Sequence, residues 1–419
     1  MCENGQKREN RQKISLIGIG TGSPDLLTPQ AEKRIRESSC LIGAGRMLQC
    51  ARQLPGMQKK PELEEYRADR IVSFLEAHGE YRDAAVLLSG DPGFFSGAEK
   101  LRKELSRRPD RFETEIIPGV STPAYLAARL GISWEDAVLA SLHGTEGNFI
   151  RMVDQNRKTF LLLGGSDSGK RLLEGLREYG FGDVILYVGR RLAYPDEQIL
   201  SGHPGDFREQ DLDGLCAVFV INPSPCPRLG PHRWDREFLR GDVPMTKEEV
   251  RAVSIARLEL EDGAVVYDVG AGTGSVSVEA ALSGECIRVY AVEKVPEAVR
   301  LLQENRRKFR ADGIRIIEGE APEALRDVEP PTHVFIGGSS GRLREILQEV
   351  RRKNPQARIV INAVSLETVE EVMQAEKAGL LEQLEVTQMT VSRARQAGTH
   401  HLMTGMNPVY IFSAGGGKE

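Results

Sequence analysis

Residues 267–279 read YDVGAGTGSVSVE, and no other stretch restricts the fold as tightly. The run Val265 to Val269 is rich in β-branched residues and reads as a buried strand. Gly270, Gly272 and Gly274 then make a turn, and Ser275 to Ala281 opens a helix. Glycine lets a backbone turn sharply and approach a ligand with no Cβ in the way. A strand, a glycine turn and a helix N-terminus together form the nucleotide crevice of a doubly wound α/β sheet. The dinucleotide pattern Gly-x-Gly-x-x-Gly fails, because Ser275 stands where its third glycine belongs. Asp268 lies just before the turn. Glu293 ends the next apolar run, Val289 to Val292, about 20 residues on, where an acceptor for a ribose hydroxyl is expected.

A chain of 419 residues is long enough for two ordinary domains, each with its own core. The net charge of −5 gives no electrostatic footprint for nucleic acid, and the basic residues are dispersed. The six cysteines form no Cys-x-x-Cys pair, which argues against a structural zinc or a disulfide framework and suits a reducing compartment. The opening MCENGQKRENRQK lacks the apolar core of a signal peptide, and no apolar run approaches bilayer length. The expectation is a cytoplasmic protein with no metal, nucleic-acid or membrane partner.

Short β-rich runs alternate with helical-period segments throughout, which predicts parallel sheets with crossover helices. In the first half the runs are Ile14 to Ile19, Ala84 to Leu88, Glu115 to Ile117, Thr159 to Leu163, Val184 to Val188 and Ala217 to Ile221. Prolines, glycines and charges without period then mark a linker at 223–241, between domains at 13–222 and 242–413; residues 1–12 and 414–419 are tails. A helix is expected from Thr246 to Leu258, with Thr246 and Glu249 as a capping box. Strands follow near Arg288 to Val292, Ile314 to Ile317, His333 to Ile336 and Arg358 to Ile361, and Leu384 to Val391 with Pro408 to Phe412 suggest a terminal antiparallel hairpin.

Three further turns follow strands in the first half: GIGTGSPD at 18–25, SGDPGFFS at 89–96 and PGVSTP at 118–123. With Ser141-Leu142-His143-Gly144 and GRRLAYPDE at 189–197, this half resembles the tetrapyrrole (corrin/porphyrin) methylases. The resemblance implies a two-lobed α/β fold of the class III methyltransferases. It also implies a bent S-adenosylmethionine (SAM) held largely by backbone, with Gly20, Gly90, Asp91, Ser121, Thr122, Leu142 and His143 around it. Two of these keep a second reading from the residues themselves. His143 is either a contact or a hydrogen-bonded structural histidine, and Asp91 either meets the cofactor or caps the Pro92–Gly93 turn.

In the second half, Gly-x-Gly-x-Gly with Asp268 before it and Glu293 after it resembles the SAM site of Rossmann-like methyltransferases of class I, with a mostly parallel seven-stranded sheet. Glu320 and Ala321 in EGEAP would border the adenine, and Gly337 in FIGGSS would lie under the transferable methyl. FIGGSS stands where enzymes that methylate base amines commonly carry Asn/Asp-Pro-Pro-aromatic, and it offers no amine acceptor. With MTKEEVR at 245–251 and Asn362-Ala363-Val364, this half resembles the corrin-ring methyltransferases that also decarboxylate their substrate.

The two resemblances together imply two SAM sites and a precorrin or cobalt-precorrin macrocycle as substrate. They also imply methylation at carbon 5 by the first domain, methylation at carbon 15 with decarboxylation by the second, and a homo-oligomer. In-line transfer from a sulfonium needs alignment and exclusion of water, so no catalytic constellation is assigned. A macrocycle bearing many carboxylates calls for cationic side chains. The candidates are Arg190 and Arg191 in the first domain and Lys247, Arg251 and Arg393 in the second. A methyltransferase for RNA or a translation protein, and a SAM-sensing module with one intact site, are the alternatives; titration stoichiometry separates the latter.

Overall fold

The computed structural model describes residues 11–142, 148–165, 167–226 and 230–416, which gather into two compact units. The first takes in residues up to 142 with 158–174 and 182–223; the second takes in 148–157, 175–181 and everything from 224.

In the first unit, strands β1 (Gln12–Gly18), β2 (Cys40–Gly43), β3 (Glu62–Glu64), β4 (Asp83–Leu88) and β5 (Phe112–Ile117) form one sheet in the order β3-β2-β4-β1-β5. Every pair in it is parallel. Its inner strands β1, β2 and β4 are buried with little alternation because both faces are covered, whereas β3 and β5 at the edges are polar and partly exposed. Ile14, Leu16, Ala84 and Val86 bury on one face, and Ile17, Ala85, Leu87 and Ile117 on the other.

A second sheet holds β6 (Val138–Ser141), β7 (Lys158–Leu163), β8 (Ile185–Arg190), β9 (Gln198–Gly202) and β10 (Cys216–Ile221) in the order β6-β7-β10-β8-β9. Here the expectation of parallel sheets throughout is corrected. Only β6 and β7 are parallel; the other pairs are antiparallel. The link from β8 to β9 is residues 191–197, too short for the crossover that a parallel pair requires.

The second unit carries β11 (Val265–Val269), β12 (Arg288–Glu293), β13 (Ile314–Glu318), β14 (His333–Ile336), β15 (Arg358–Ala363), β16 (Glu385–Met389), β17 (Ser392–Ala397), β18 (His400–Gly405) and β19 (Val409–Ala414). Seven of these make a sheet in the order β13-β12-β11-β14-β15-β19-β16, in which β19 alone runs against its neighbours. The seven-stranded, mostly parallel arrangement is the expected one. The two late β-rich stretches do pair antiparallel, Val386 opposite Phe412, but they do not form a simple hairpin. The β17–β18 ribbon, a separate two-stranded sheet, is inserted between them.

The helix expected from Thr246 runs Glu248–Leu258 with Lys247 as N-cap and no side-chain cap. The capping box is therefore not made. Arg393 holds the Glu249 carboxylate at 2.6 and 2.8 Å, and the Thr246 carbonyl accepts from Arg251.

Candidate active site

The carboxyl ends of β11, β12, β13, β14 and β15 open onto a cavity of about 900 Å³. Val269, Gly270, Ala271 and Gly272 line it, with Glu293, Lys294, Glu320, Ala321, Gly337 and Gly338. Gly270 takes φ +71°, and a Cβ on it would stand 2.7 Å from the Gly338 carbonyl oxygen. Glycine is thus required at Gly270 because the turns after β11 and β14 touch backbone to backbone. Amides of Gly337 and Gly338 both donate to the Val269 carbonyl, at 3.0 and 3.3 Å. Gly338 itself has nothing within 4 Å of where a Cβ would stand, so that turn presents bare backbone to the cavity.

The other two glycines serve packing. A Cβ on Gly272 would meet the Pro244 carbonyl at 3.0 Å, so this residue lets the 242–247 segment approach the turn. A Cβ on Gly274 would land on Leu302, so this residue lets helix Ser275–Ala281 approach helix Pro296–Lys308. Gly274 is absent from the cavity lining.

Glu293 and Asp268 part company. Glu293 is in the lining, 8% exposed, and staples the turn. Its Oε2 accepts from Gly272 N at 2.8 Å, and its Oε1 from Lys294 N and Val295 N at 2.8 and 2.9 Å. Asp268 lies outside the lining, 1% exposed, with its Oδ2 bonded by the Ser277 hydroxyl and its Oδ1 buried without a partner. Position along the strands explains the difference: both acids share the face of Val266, Val289 and Ala291, but Asp268 lies level with Ala291 inside the sheet, beneath Val278 and its helix, whereas Glu293 ends β12 at the cavity. Loss of hydration pushes the Asp268 carboxyl up to about 7, with Glu293 adding repulsion against the Ser277 hydrogen bonds. Glu320 pairs with Lys294 at 2.7 Å on the rim, and Ala321 is buried beside it.

In the first unit the three predicted turns converge. A Cβ on Gly18 would stand 2.6 Å from the Gly90 oxygen and 2.7 Å from Gly119 N, and one on Gly119 would strike the Gly90 carbonyl. Gly20 and Gly90 exchange backbone hydrogen bonds at 3.2 and 2.7 Å. Asp91 ties the set together: its Oδ1 accepts from Gly93 N at 2.7 Å and its Oδ2 from Gly119 N at 3.1 Å. Asp91 thus caps its own turn and also bridges to the next. Gly90 faces the Thr122 hydroxyl across open space; Ser121 is the N-cap of helix Thr122–Leu130 without a side-chain bond. Leu142 is buried, and its amide donates to the Leu162 carbonyl at 2.9 Å. His143 lies outside the described residues.

Chains similar to this one repeat the same division. Residues 13–207 match the tetrapyrrole (corrin/porphyrin) methylases, and residues 237–415 match the precorrin methyltransferase domain. A probable cobalt-precorrin-6B C(15)-methyltransferase (decarboxylating) of Pyrobaculum calidifontis is 42% identical over 45% of this chain and 97% of its own length. The chain belongs to the precorrin methyltransferases. A precorrin-6Y C(5,15)-methyltransferase (decarboxylating) of a Sinorhizobium species is 29% identical over 84% of each chain. A crystal structure of a precorrin-6Y C5,15-methyltransferase from Geobacter metallireducens is 37% identical over 43% of this chain and 96% of that one, with a TM-score of 0.41.

As a precorrin methyltransferase the chain must meet an acidic macrocycle, and the five cations predicted for that role fare differently. Lys247 lines the cavity. Arg251 is corrected: it is fully buried and cannot reach a ligand. Its guanidinium donates to Glu279 at 2.6 Å, Asp235 at 3.2 Å, the Thr246 carbonyl at 2.5 Å and the Arg233 carbonyl at 2.6 Å, and lies 4.8 Å over the Phe238 ring. Arg393 is partly exposed, yet Glu249, Glu248 and Asp235 surround it and hold it well above its ordinary pKa, the Glu249 hydrogen bond foremost. Arg191 pairs with Asp196 at 2.5 Å and stacks 4.8 Å over Tyr194. Arg190 ends β8, half-buried.

Sequence reasoning missed the role of the 230–242 stretch. Arg233 and Phe238 are buried, Arg233 N donates to Glu279 at 3.0 Å, and Asn305 brackets Leu239 through both its amide atoms. Arg251 in the midst of a helix, with acidic Glu279 in another, was the available signal: two charges on buried faces must find each other.

Proposed function

We propose that the chain methylates a precorrin or cobalt-precorrin macrocycle, precorrin-6Y, at carbons 5 and 15 and removes one acetate carboxyl as carbon dioxide. The first unit acts at carbon 5; the second acts at carbon 15 and decarboxylates. The observation that carries this is the second cavity. Its lining joins the glycine turns after β11 and β14 to the apolar side chains of Val364, Met389, Val391, Met406 and Val409. A flat, largely apolar ring can lie against such side chains with its edge carboxylates toward Lys247.

The residues present fit SAM. Gly338 leaves backbone open to a ligand, Gly270 lines the same cavity, and Glu293 lies where a ribose hydroxyl is expected. In the first unit Gly20, Gly90, Ser121 and Thr122 would take the corresponding part, giving two sites per chain. When bound, SAM supplies an already activated methyl group. The protein's own work is alignment: Glu293 fixes the turn through three amides, the apolar side chains exclude water, and Lys247 draws the substrate edge. The exposed β17–β18 ribbon, with Leu402 55% and Met403 67% exposed, supports self-association, since an isolated two-stranded ribbon is marginal alone.

The test is mass spectrometry of precorrin-6Y incubated with the full chain and methyl-labelled SAM. Two labelled methyls gained and one carboxyl lost is the expected product. A SAM-binding protein that transfers nothing to the macrocycle would overturn the assignment in favour of another acceptor.

A further inference from the structure

The fifth residue of β15, in the sequence RIVINA, is a polar amide in an otherwise apolar strand. Asn362 lines the second cavity together with those apolar side chains. An amide in such a strand needs a partner. It finds one in Ser254 on helix Glu248–Leu258, a hydroxyl with no exposure. Ser254 Oγ lies 2.8 Å from the Val250 carbonyl, one helical turn back. Asn362 Nδ2 donates to Ser254 Oγ at 3.0 Å, and Asn362 Oδ1 lies 3.1 Å from the same hydroxyl, so Ser254 meets both ends of the amide. Ser254 thereby pins the amide from the helix side, and the second N–H of Asn362 is left unclaimed by Ser254.

The surroundings are neutral. Val364, Met389, Val391, Met406, Asn407 and Val409 line the same cavity, and its cations are Lys247 on the 242–247 segment and Lys294 paired with Glu320. Decarboxylation requires such a place. A cation against the departing carboxylate would stabilise it more than the transition state, in which its negative charge moves into the ring. A neutral amide among apolar side chains can orient the group without holding the charge there.

We propose that Asn362 grips the acetate carboxylate that is lost, with Ser254 as its positioning residue. This rests on the function proposed above. The bond between the acetate methylene and its carboxylate breaks, carbon dioxide leaves, and the electron pair passes into the conjugated macrocycle. A proton from water then converts the methylene to a methyl group. Asn362 turns the breaking bond toward the ring π-system and gives up no proton.

The experiment follows carbon dioxide release and labelled methyls from precorrin-6Y with the full-length Asn362→Ala, Asn362→Asp and Ser254→Ala proteins. Calorimetry of SAM binding runs alongside. Asn362→Ala should slow carbon dioxide release about 10-fold or more, and Ser254→Ala about 3-fold, with carbon 5 methylation and SAM affinity unchanged. Asn362→Asp should raise the macrocycle KM by like-charge repulsion and recover as pH falls through the carboxylate range. Wild-type carbon dioxide release by Asn362→Ala would overturn the proposal, as would losses that track reduced SAM binding. A wild-type chain that never methylates the macrocycle overturns the function itself, and this inference with it.

Discussion

The two units hold their glycine turns together by the same device, in different geometry. In the second, one turn after β11 is stapled by one carboxylate, Glu293, whose oxygens accept three backbone amides. In the first, three turns from three strands meet at Gly18, Gly90 and Gly119, and Asp91 bridges the second turn to the third. Both acids were predicted as ligand contacts, and the structure shows both as loop staples. A contiguous cradle is readable as a motif. A distributed one exists only after the chain has brought residues 18, 90 and 119 together.

The largest expected break in this comparison is confined to the second unit. Arg251→Met leaves Glu279 buried without its guanidinium, which should cost about 3–5 kcal/mol and release the segment that Arg251 holds through the Arg233 and Thr246 carbonyls. Calorimetry should show the second unit unfolding earlier and one SAM site lost, with the first site kept. Two SAM sites retained at unchanged thermal stability would contradict the network as drawn.

Asp268 gives the next effect, again with no counterpart in the first unit. Its folded pKa stands at about 7 against an ordinary 3.8, so folding favours the neutral acid. That contribution is complete below about pH 4 and is lost as pH rises through about 7, a change on the order of 4 kcal/mol. Asp268→Asn should remove this slope from pH-dependent unfolding and leave the second unit more stable at pH 8. An identical slope in the variant would mean that another group titrates.

The smallest effect is the sharpest comparison. Glu293→Gln and Asp91→Asn each weaken charged hydrogen bonds to backbone amides, for about 1–2 kcal/mol. Each should weaken SAM binding at its own unit, read as two-site calorimetry in which one affinity falls and the other stays. If either change weakened both sites equally, the units would not be independent binders.

Much of this was legible beforehand. β11 and β14 lie where the β-branched and apolar runs put them, because a strand buried on both faces draws mostly on such residues. The glycine turn after β11 declared the cavity, since only backbone can be packed so closely. Residue type stated what Gly270 permits, but not that Gly272 and Gly274 answer to Pro244 and Leu302.

The charged residues were decided by tertiary structure alone. Arg251 and Lys247 are four positions apart on one segment, and sequence treats them alike. Burial gives one to Glu279 and leaves the other lining the cavity. The reason is physical. Backbone conformation and apolar periodicity are local properties, written in neighbouring residues. The partner of a charge depends on what the fold brings within a few ångströms, here Glu279 and Asp235 for Arg251 and Glu249 for Arg393. The sequence by itself thus determined two α/β units and where their glycine turns lie; the packed structure decided which acids and bases are buried in pairs and which line the cavity.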